Sequence, residues 1–250
     1  NHMDAHYASA LFRYEKEFAV KFREHLAFAS LDDKHTIKAG EPQFPVAAVE
    51  REKEVLVSKD KILVVSDHDF TRLSLTPSVA MIIDVPESID GSFCRGRVFV
   101  LLKENAFNPS SPQRHMAELK GILRELGPLK PILLLYTDGG PDHRLAYISV
   151  QLSLMSLWLN LDLDFLCAVR TPPQHSWKNP IERIMSIINL ALQGVGVMRK
   201  EVAHESELKR CCSLKIIRDM AKKIPELKEE VLRSVEPTVE LLSTLIQRLK

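Results

Sequence analysis

The chain has 250 residues, 45% of them hydrophobic and 27% charged, which is enough for one large domain or two small ones with a sizeable core. Its formal net charge of +1 produces no overall basic field, so charge alone neither indicates nor excludes a nucleic-acid partner. The four cysteines lack zinc-knuckle spacing and no apolar run approaches about 20 residues, which favours an intracellular protein with reduced thiols and excludes a membrane helix.

The N-terminal part of the sequence predicts a helix followed by strands. Residues 4–24 carry apolar side chains among charges at the spacing of an amphipathic helix. The next apolar run begins at Leu26, ends on Asp32 and Asp33, and is predicted to be a strand. Further strands are expected between about 40 and 102, at residues 44–49, 54–57, 61–66, 79–85 and 97–102.

The central stretch of the chain predicts a helix at residues 112–126 and then a buried strand that ends in an acidic turn. An apolar run at 132–136 is followed closely by Asp138, Gly139 and Gly140. Asp138 is therefore expected at the C-terminal tip of a strand, which is the edge where open α/β sheets bind ligands. The alternative is that Asp138 only caps the turn.

The C-terminal part of the sequence predicts mainly helices. Residues 145–159 are expected to form a mostly buried helix, and 163–169 a strand. A new helix is predicted to begin at Asn179-Pro180-Ile181-Glu182, with Asn179 as N-cap and Glu182 three residues later. From 198 to 250 the chain is predicted to be helical and charged, with breaks at Pro225 and Pro237.

Three acids occupy comparable places in this order of elements. Asp32 or Asp33 ends an early strand, Asp138 ends a central strand, and Glu182 lies in the first turn of a later helix. Three carboxylates that converge cannot all stay ionised without a cation, because like charges raise one another's pKa. Mg²⁺ or Mn²⁺ would satisfy them. Asp32 and Asp33 point to opposite faces of a strand, so only one of them should reach such an ion.

These residues resemble the DDE transposase and retroviral-integrase superfamily. The resemblance rests on Leu31-Asp32-Asp33-Lys34, on residues 136–143 with Asp138, and on the Asn-Pro-Ile-Glu turn at 179–182, which looks like that of Tc1/mariner enzymes. It implies an α/β, RNase H-like mixed sheet flanked by helices. It also implies catalytic, metal-binding Asp32, Asp138 and Glu182, with Asp32 favoured over Asp33, and two Mg²⁺ or Mn²⁺ ions about 3.5–4 Å apart.

The resemblance further implies a domain order, a reaction and partners. Residues 4–197 would form the catalytic core, with a β-rich insertion at about 50–100, and 198–250 a helical extension. The reaction would be DNA cleavage and strand transfer by a homo-oligomer in the nucleus, on transposon ends or target DNA. Candidate DNA contacts are His143, His175, Lys178, Lys209 and Arg210.

Other interpretations of the same residues stay open. A transposase-derived protein could keep the fold without catalysis and act as a DNA- or protein-binding scaffold, in which case the acids need not bind Mn²⁺ tightly. An RNase H-type nuclease without strand transfer would prefer an RNA–DNA hybrid to duplex DNA. Finally, the acids could all be caps and turns, which would make the chain a plain α/β interaction module. Separately, Asp142 is expected to be the N-cap of the next helix and His143 an exposed loop residue, and the basic stretch at residues 199–223, which begins with Arg199, is expected to be a solvated helix face or, alternatively, a phosphate-binding face.

Overall fold

The computed structural model describes residues 5–49, 71–171 and 178–249. The predicted strands at 54–57 and 61–66 lie outside these residues. The helices of the described residues are α1 Ala5–Lys21, α2 Pro112–Glu125, α3 Ile148–Leu161, α4 Glu182–Leu192, α5 Glu205–Arg210, α6 Leu214–Lys223 and α7 Pro225–Gln247. The strands are β1 Leu26–Asp33, β2 Ile37–Lys38, β3 Val46–Ala47, β4 Ser74–Ile83, β5 Gly96–Glu104, β6 Ile132–Thr137, β7 Phe165–Arg170 and β8 Gly196–Val197.

The chain divides into two compact units. The described parts of Asn1–Asp33, Ser78–Leu101 and Ser110–Met185 make up the first unit. Those of Lys34–Pro77, Leu102–Pro109 and Ser186–Lys250 make up the second. Each unit is therefore assembled from segments that are far apart in the sequence.

The first unit is built on a mixed sheet. Its strands run in the order β4-β1-β6-β7, and β5 pairs with β4. β1 is antiparallel to β4 but parallel to β6, and β6 is parallel to β7. The predicted α/β class, a mixed sheet flanked by helices, is confirmed.

Both faces of this sheet are covered by helices. On one face, α2 and α3 pack on alternate residues of β1 and β6, and the buried side chains include Leu31, Leu119, Leu135 and Leu157. The other face carries α1, whose Phe12 ring stacks on the ring of Tyr136 with centroids 3.8 Å apart. The alternation of side chains along a strand thus directs Leu31 and Leu135 toward α2 and α3, and Tyr136 toward α1.

Helix α3 differs from the prediction of a mostly buried helix. Its buried residues are Val150, Ser153, Leu157 and Leu161, a single stripe. Large apolar side chains on its other side are exposed, namely Ile148, Leu152, Met155, Trp158 and Leu159. A helix that packs on one face of a sheet buries only the stripe that faces the sheet, whatever the hydrophobicity of the rest.

The second unit contains β2 paired with the first residues of β4, the β3–β8 pair and helices α5 to α7. The predicted solvated position of Arg199 is wrong, because this side chain is 1% exposed and pairs with Glu41 and Glu205. The predicted break at Pro237 is also wrong, since α7 continues through it. Among the described residues, no helix is both long enough and apolar enough to cross a membrane.

Candidate metal centre

The tips of two neighbouring strands bring two of the predicted acids together. β1 and β6 are parallel, and Leu31 of β1 lies opposite Thr137 of β6. In each case, the residue that follows along the chain is an acid: Asp32 follows Leu31, and Asp138 follows Thr137. The register therefore places Asp32 and Asp138 side by side at the C-terminal edge of the parallel pair.

A tight turn fixes Asp138 at this edge. Its Oδ1 accepts the Gly140 N–H at 2.8 Å, and its backbone carbonyl accepts the Thr171 hydroxyl at 3.1 Å. Gly139 has a φ of 76°, and a Cβ added there would lie 2.9 Å from Cδ of Arg170. The capping role considered for Asp138 is thus real for one of its oxygens, and the turn requires glycine at position 139.

The start of α4 is attached to β1 through a buried asparagine. Asn179 is 1% exposed, and its Oδ1 accepts both the Ser30 hydroxyl and, at 3.3 Å, the Ile181 N–H. The Glu182 N–H donates to the Asn179 carbonyl at 3.1 Å. Asn179 was predicted to be the N-cap of α4, but the helix begins at Glu182, so Asn179 instead stabilises the turn that leads into it. Its side chain ties this turn to Ser30, two residues before Asp32.

Asp32 is a buried acid that lies close enough to Asp138 and Glu182 for their charges to act on its carboxyl group. Asp32 is 9% exposed, and burial raises its pKa from the usual value to about 8. Repulsion from Asp138 and then from Glu182 contributes to the same rise in pKa. We call Asp32, Asp138 and Glu182 the carboxylate triad.

Asp33, the alternative first acid, points to the other face of the sheet and belongs to a second group. Its Oδ2 accepts the Ser110 hydroxyl at 2.5 Å and lies 3.3 Å from Nε2 of His115. The same His115 nitrogen lies 4.0 Å from Oδ2 of Asp142. We call Asp33, His115 and Asp142 the His115 cluster; their ligand atoms all lie within 4.8 Å of one another.

The His115 cluster corrects one prediction and adds a residue that the sequence analysis missed. Asp142 is not the N-cap of α3, because that position belongs to Tyr147. His115 had not been singled out, although it lies four residues before Leu119 and so on the buried stripe of α2. A polar residue in an apolar helical stripe was the available signal.

The candidate DNA contacts lie in different surroundings. His143 is buried rather than an exposed loop residue, and its ring centroid is 4.4 Å from that of His115. Lys178 donates to the Ser9 hydroxyl at 2.8 Å. His175 lies outside the described residues. Lys209 and Arg210 are exposed on α5 of the second unit, with Nζ of Lys209 4.0 Å from Glu205.

Comparisons with known proteins give structural likeness only. No protein-family model and no curated protein matches the sequence. Solved structures that are similar include the mariner Mos1 paired end complex with Mg (10% identity, 100% of this chain and 61% of that chain, TM-score 0.41). The Mos1 mariner paired end complex with Mn is also similar (13% identity, 95% of this chain and 59% of that chain, TM-score 0.36). So is the Mos1 strand transfer complex (10% identity, 95% of this chain and 58% of that chain, TM-score 0.36). The chain thus spans about three fifths of these chains.

Proposed function

We propose that the chain is a metal-dependent nuclease that cleaves DNA and transfers strands, either as a DDE transposase-like enzyme or as a protein derived from one. The observation that carries the proposal is the register of β1 and β6, which brings Asp32 beside Asp138, together with the Ser30–Asn179 contact that holds the chain just before Glu182 to β1. Asp32 and Asp138 follow paired residues of adjacent parallel strands, and Glu182 begins a helix tied to β1. We infer that Glu182 joins the two strand acids at the edge where α/β sheets bind ligands.

The donor set of the carboxylate triad fits a hard divalent cation. All its donors are carboxylate oxygens, the ligands that Mg²⁺ and Mn²⁺ prefer. The raised pKa of Asp32 reflects a buried acid beside two others, a situation that a cation would relieve. When bound, such ions supply an activated water and stabilise the leaving oxygen in phosphodiester cleavage.

The chain's own residues in this proposal position the carboxylates. The Gly140 N–H donates a hydrogen bond to Oδ1 of Asp138, so we assign the other oxygen, Oδ2, to the cation. Asn179 and Ser30 hold the turn that leads into α4 at β1, which sets the place of Glu182. DNA as the partner, a homo-oligomer as the active form and a nuclear location all remain predictions of the family resemblance.

The test is a cleavage and joining assay with Mn²⁺ on supercoiled plasmid DNA. We expect Asp138→Asn to lower cleavage by at least about 100-fold, because oriented metal ligands are required for charge stabilisation. Asp84→Asn, which changes an exposed acid of the same unit, serves as the matched control and should cleave like the parent. Equal cleavage by Asp138→Asn and the parent would refute the proposal.

The same assay separates the other interpretations. Cleavage followed by joining of the freed 3′ end to a second DNA supports strand transfer. Cleavage of an RNA–DNA hybrid in preference to duplex DNA, without joining, identifies an RNase H-type hydrolase instead. DNA binding with no cleavage and no Mn²⁺ uptake at the carboxylate triad identifies a scaffold.

A further inference from the structure

The His115 cluster lies on the face of the sheet opposite the carboxylate triad and has a different set of donor atoms. We propose that it is a second metal site, selective for Zn²⁺ or a similar transition ion, with Asp33, His115 and Asp142 as ligands. The proposal does not depend on the cleavage function, because no residue is shared between the two groups. Asp32 and Asp33 would then serve two different ions from the two faces of one strand.

The distances within the His115 cluster suit a bound ion. Zn²⁺ binds nitrogen and oxygen at about 2.0–2.2 Å, so two ligands at a tetrahedral angle lie about 3.4 Å apart. Nε2 of His115 is 3.3 Å from the Asp33 carboxylate and 4.0 Å from that of Asp142. Small side-chain rotations would therefore bring the three donors to coordinating distance.

The chemistry of the donors distinguishes this cluster from the carboxylate triad. An imidazole nitrogen beside two carboxylates suits Zn²⁺, Co²⁺ or Mn²⁺, whereas an all-oxygen set suits Mg²⁺. A neighbouring side chain also orients one of the proposed ligands, because the Ser110 hydroxyl donates a hydrogen bond to the Asp33 carboxylate. A metal site with supported ligands is expected to bind more tightly than a loose surface pair.

The burial pattern of the His115 cluster leaves a route for an ion. The His115 side chain is 3% exposed and is held by α2, which packs into the core through Met116 and Leu119. The Asp33 and Asp142 side chains are 22% and 32% exposed. The fixed ligand is thus inside and the two carboxylates face outward, as entry of an ion from solvent requires.

A nucleophilic relay is the other chemistry that Ser110, His115 and an acid could suggest, and the geometry argues against it. The Ser110 hydroxyl and the Asp33 carboxylate both approach the same ring nitrogen of His115, at 2.9 and 3.3 Å. In a serine–histidine–acid relay the acid binds the opposite ring nitrogen. Metal binding is therefore the better interpretation.

The test is zinc uptake by the chain in an Asp138→Asn/Glu182→Gln background, which disables the carboxylate triad. Equilibrium dialysis followed by elemental analysis should find one zinc ion per chain. His115→Gln and Asp142→Asn, each added to that background, should weaken uptake by at least about tenfold. The matched control is Asp90→Asn, an exposed acid elsewhere in the unit, which should leave uptake unchanged.

The readout with Co²⁺ guards against indirect effects. Bound Co²⁺ should show a visible absorption spectrum that changes with His115→Gln, while circular dichroism reports whether each variant is folded. Because Asp142 lies in a loop, Asp142→Asn keeps the test valid even if His115→Gln unfolds. Zinc uptake that both variants leave intact, or that the background substitutions already abolish, would overturn the proposal and assign the ion to the surface or to the carboxylate triad.

Discussion

Asp32 combines burial with two acidic neighbours, and its protonation should control metal binding. Its pKa is raised to about 8, first by burial and then by Asp138 and Glu182. Below that pH the carboxyl holds a proton that a cation must displace, and above it the carboxylate is already charged. Metal affinity at the carboxylate triad should therefore rise with pH and level off above about pH 8.

Calorimetry can measure this coupling. Titration of Mn²⁺ at pH 6.5 in buffers of different ionisation enthalpy should show release of about one proton per chain. Asp32→Asn should remove the proton release together with most of the affinity. Proton-independent binding with unchanged affinity in Asp32→Asn would show that this residue is not a ligand.

Glu15 is a second buried acid, on α1, and it should make the stability of the fold depend on pH. Among the described residues neither of its carboxylate oxygens has a hydrogen-bond partner, and burial raises its pKa to about 9. The folded state thus keeps a proton that the unfolded state loses near pH 4.5. The contribution of protonated Glu15 to the stability of the fold is therefore fully present below about pH 4.5 and is lost as the pH rises through about 9.

Replacing Glu15 should therefore stabilise the protein only in neutral and alkaline solution. Urea unfolding should show that Glu15→Gln raises the free energy of unfolding at pH 8 by at least about 1 kcal/mol and changes it little at pH 4. Glu17→Gln, which alters an exposed acid on the same helix, should change the free energy of unfolding by the same amount at pH 4 and at pH 8. Parallel pH profiles for the two variants would contradict the buried, protonated state of Glu15.

At the scale of elements, the start of α4 should matter for activity beyond its contribution to stability. Asn179→Ala removes the acceptor of the Ser30 hydroxyl and the Ile181 N–H, at an expected cost of about 1–2 kcal/mol in unfolding free energy. Ser213→Ala removes a comparable side-chain hydrogen bond at the start of α6 in the second unit. We expect cleavage to fall at least about tenfold in the first variant and to be retained in the second.

The turn after β6 offers a complementary pair of glycine substitutions. Gly139→Ala places a Cβ at a φ of 76° and 2.9 Å from the Arg170 side chain, so it should destabilise the fold by at least about 1 kcal/mol. Gly121→Ala, inside α2 with open space around it, should stabilise the fold by about 0.5–1 kcal/mol. If thermal unfolding showed melting temperatures shifted in the same direction for the two variants, the turn geometry described for Gly139 would be wrong.

Local sequence pattern predicted the elements well and their surroundings less well. The apolar runs and bounding prolines and glycines located β1 and β6, and the Asn179-Pro180-Ile181-Glu182 turn located α4. The pattern predicted a break at Pro237, whereas α7 continues through it. Packing of buried residues such as Val231 and Val235 outweighs the hydrogen bond lost at the proline, and local sequence does not show this packing. The pattern also could not show which side of α3 faces the sheet.

At the scale of the whole molecule, the order of elements was enough to propose the carboxylate triad, whereas recognising the His115 cluster required the tertiary contacts. Strand alternation alone predicted that Asp32 and Asp33 point to opposite faces. That His115 of α2 meets Asp33 of β1 depends on how a helix docks on the sheet, which periodicity does not encode. The assembly of each unit from three separate segments is a long-range property of the same kind.

The most direct test of the central claim is anomalous scattering from crystals of the chain soaked in MnCl₂. We predict a manganese peak flanked by Asp32, Asp138 and Glu182 that disappears in Asp138→Asn crystals. A peak at the His115 cluster would bear only on the second site. The absence of a manganese peak among the three acids, with the Glu182 carboxylate bonded instead to the Asn179 N–H, would contradict a metal site at the carboxylate triad.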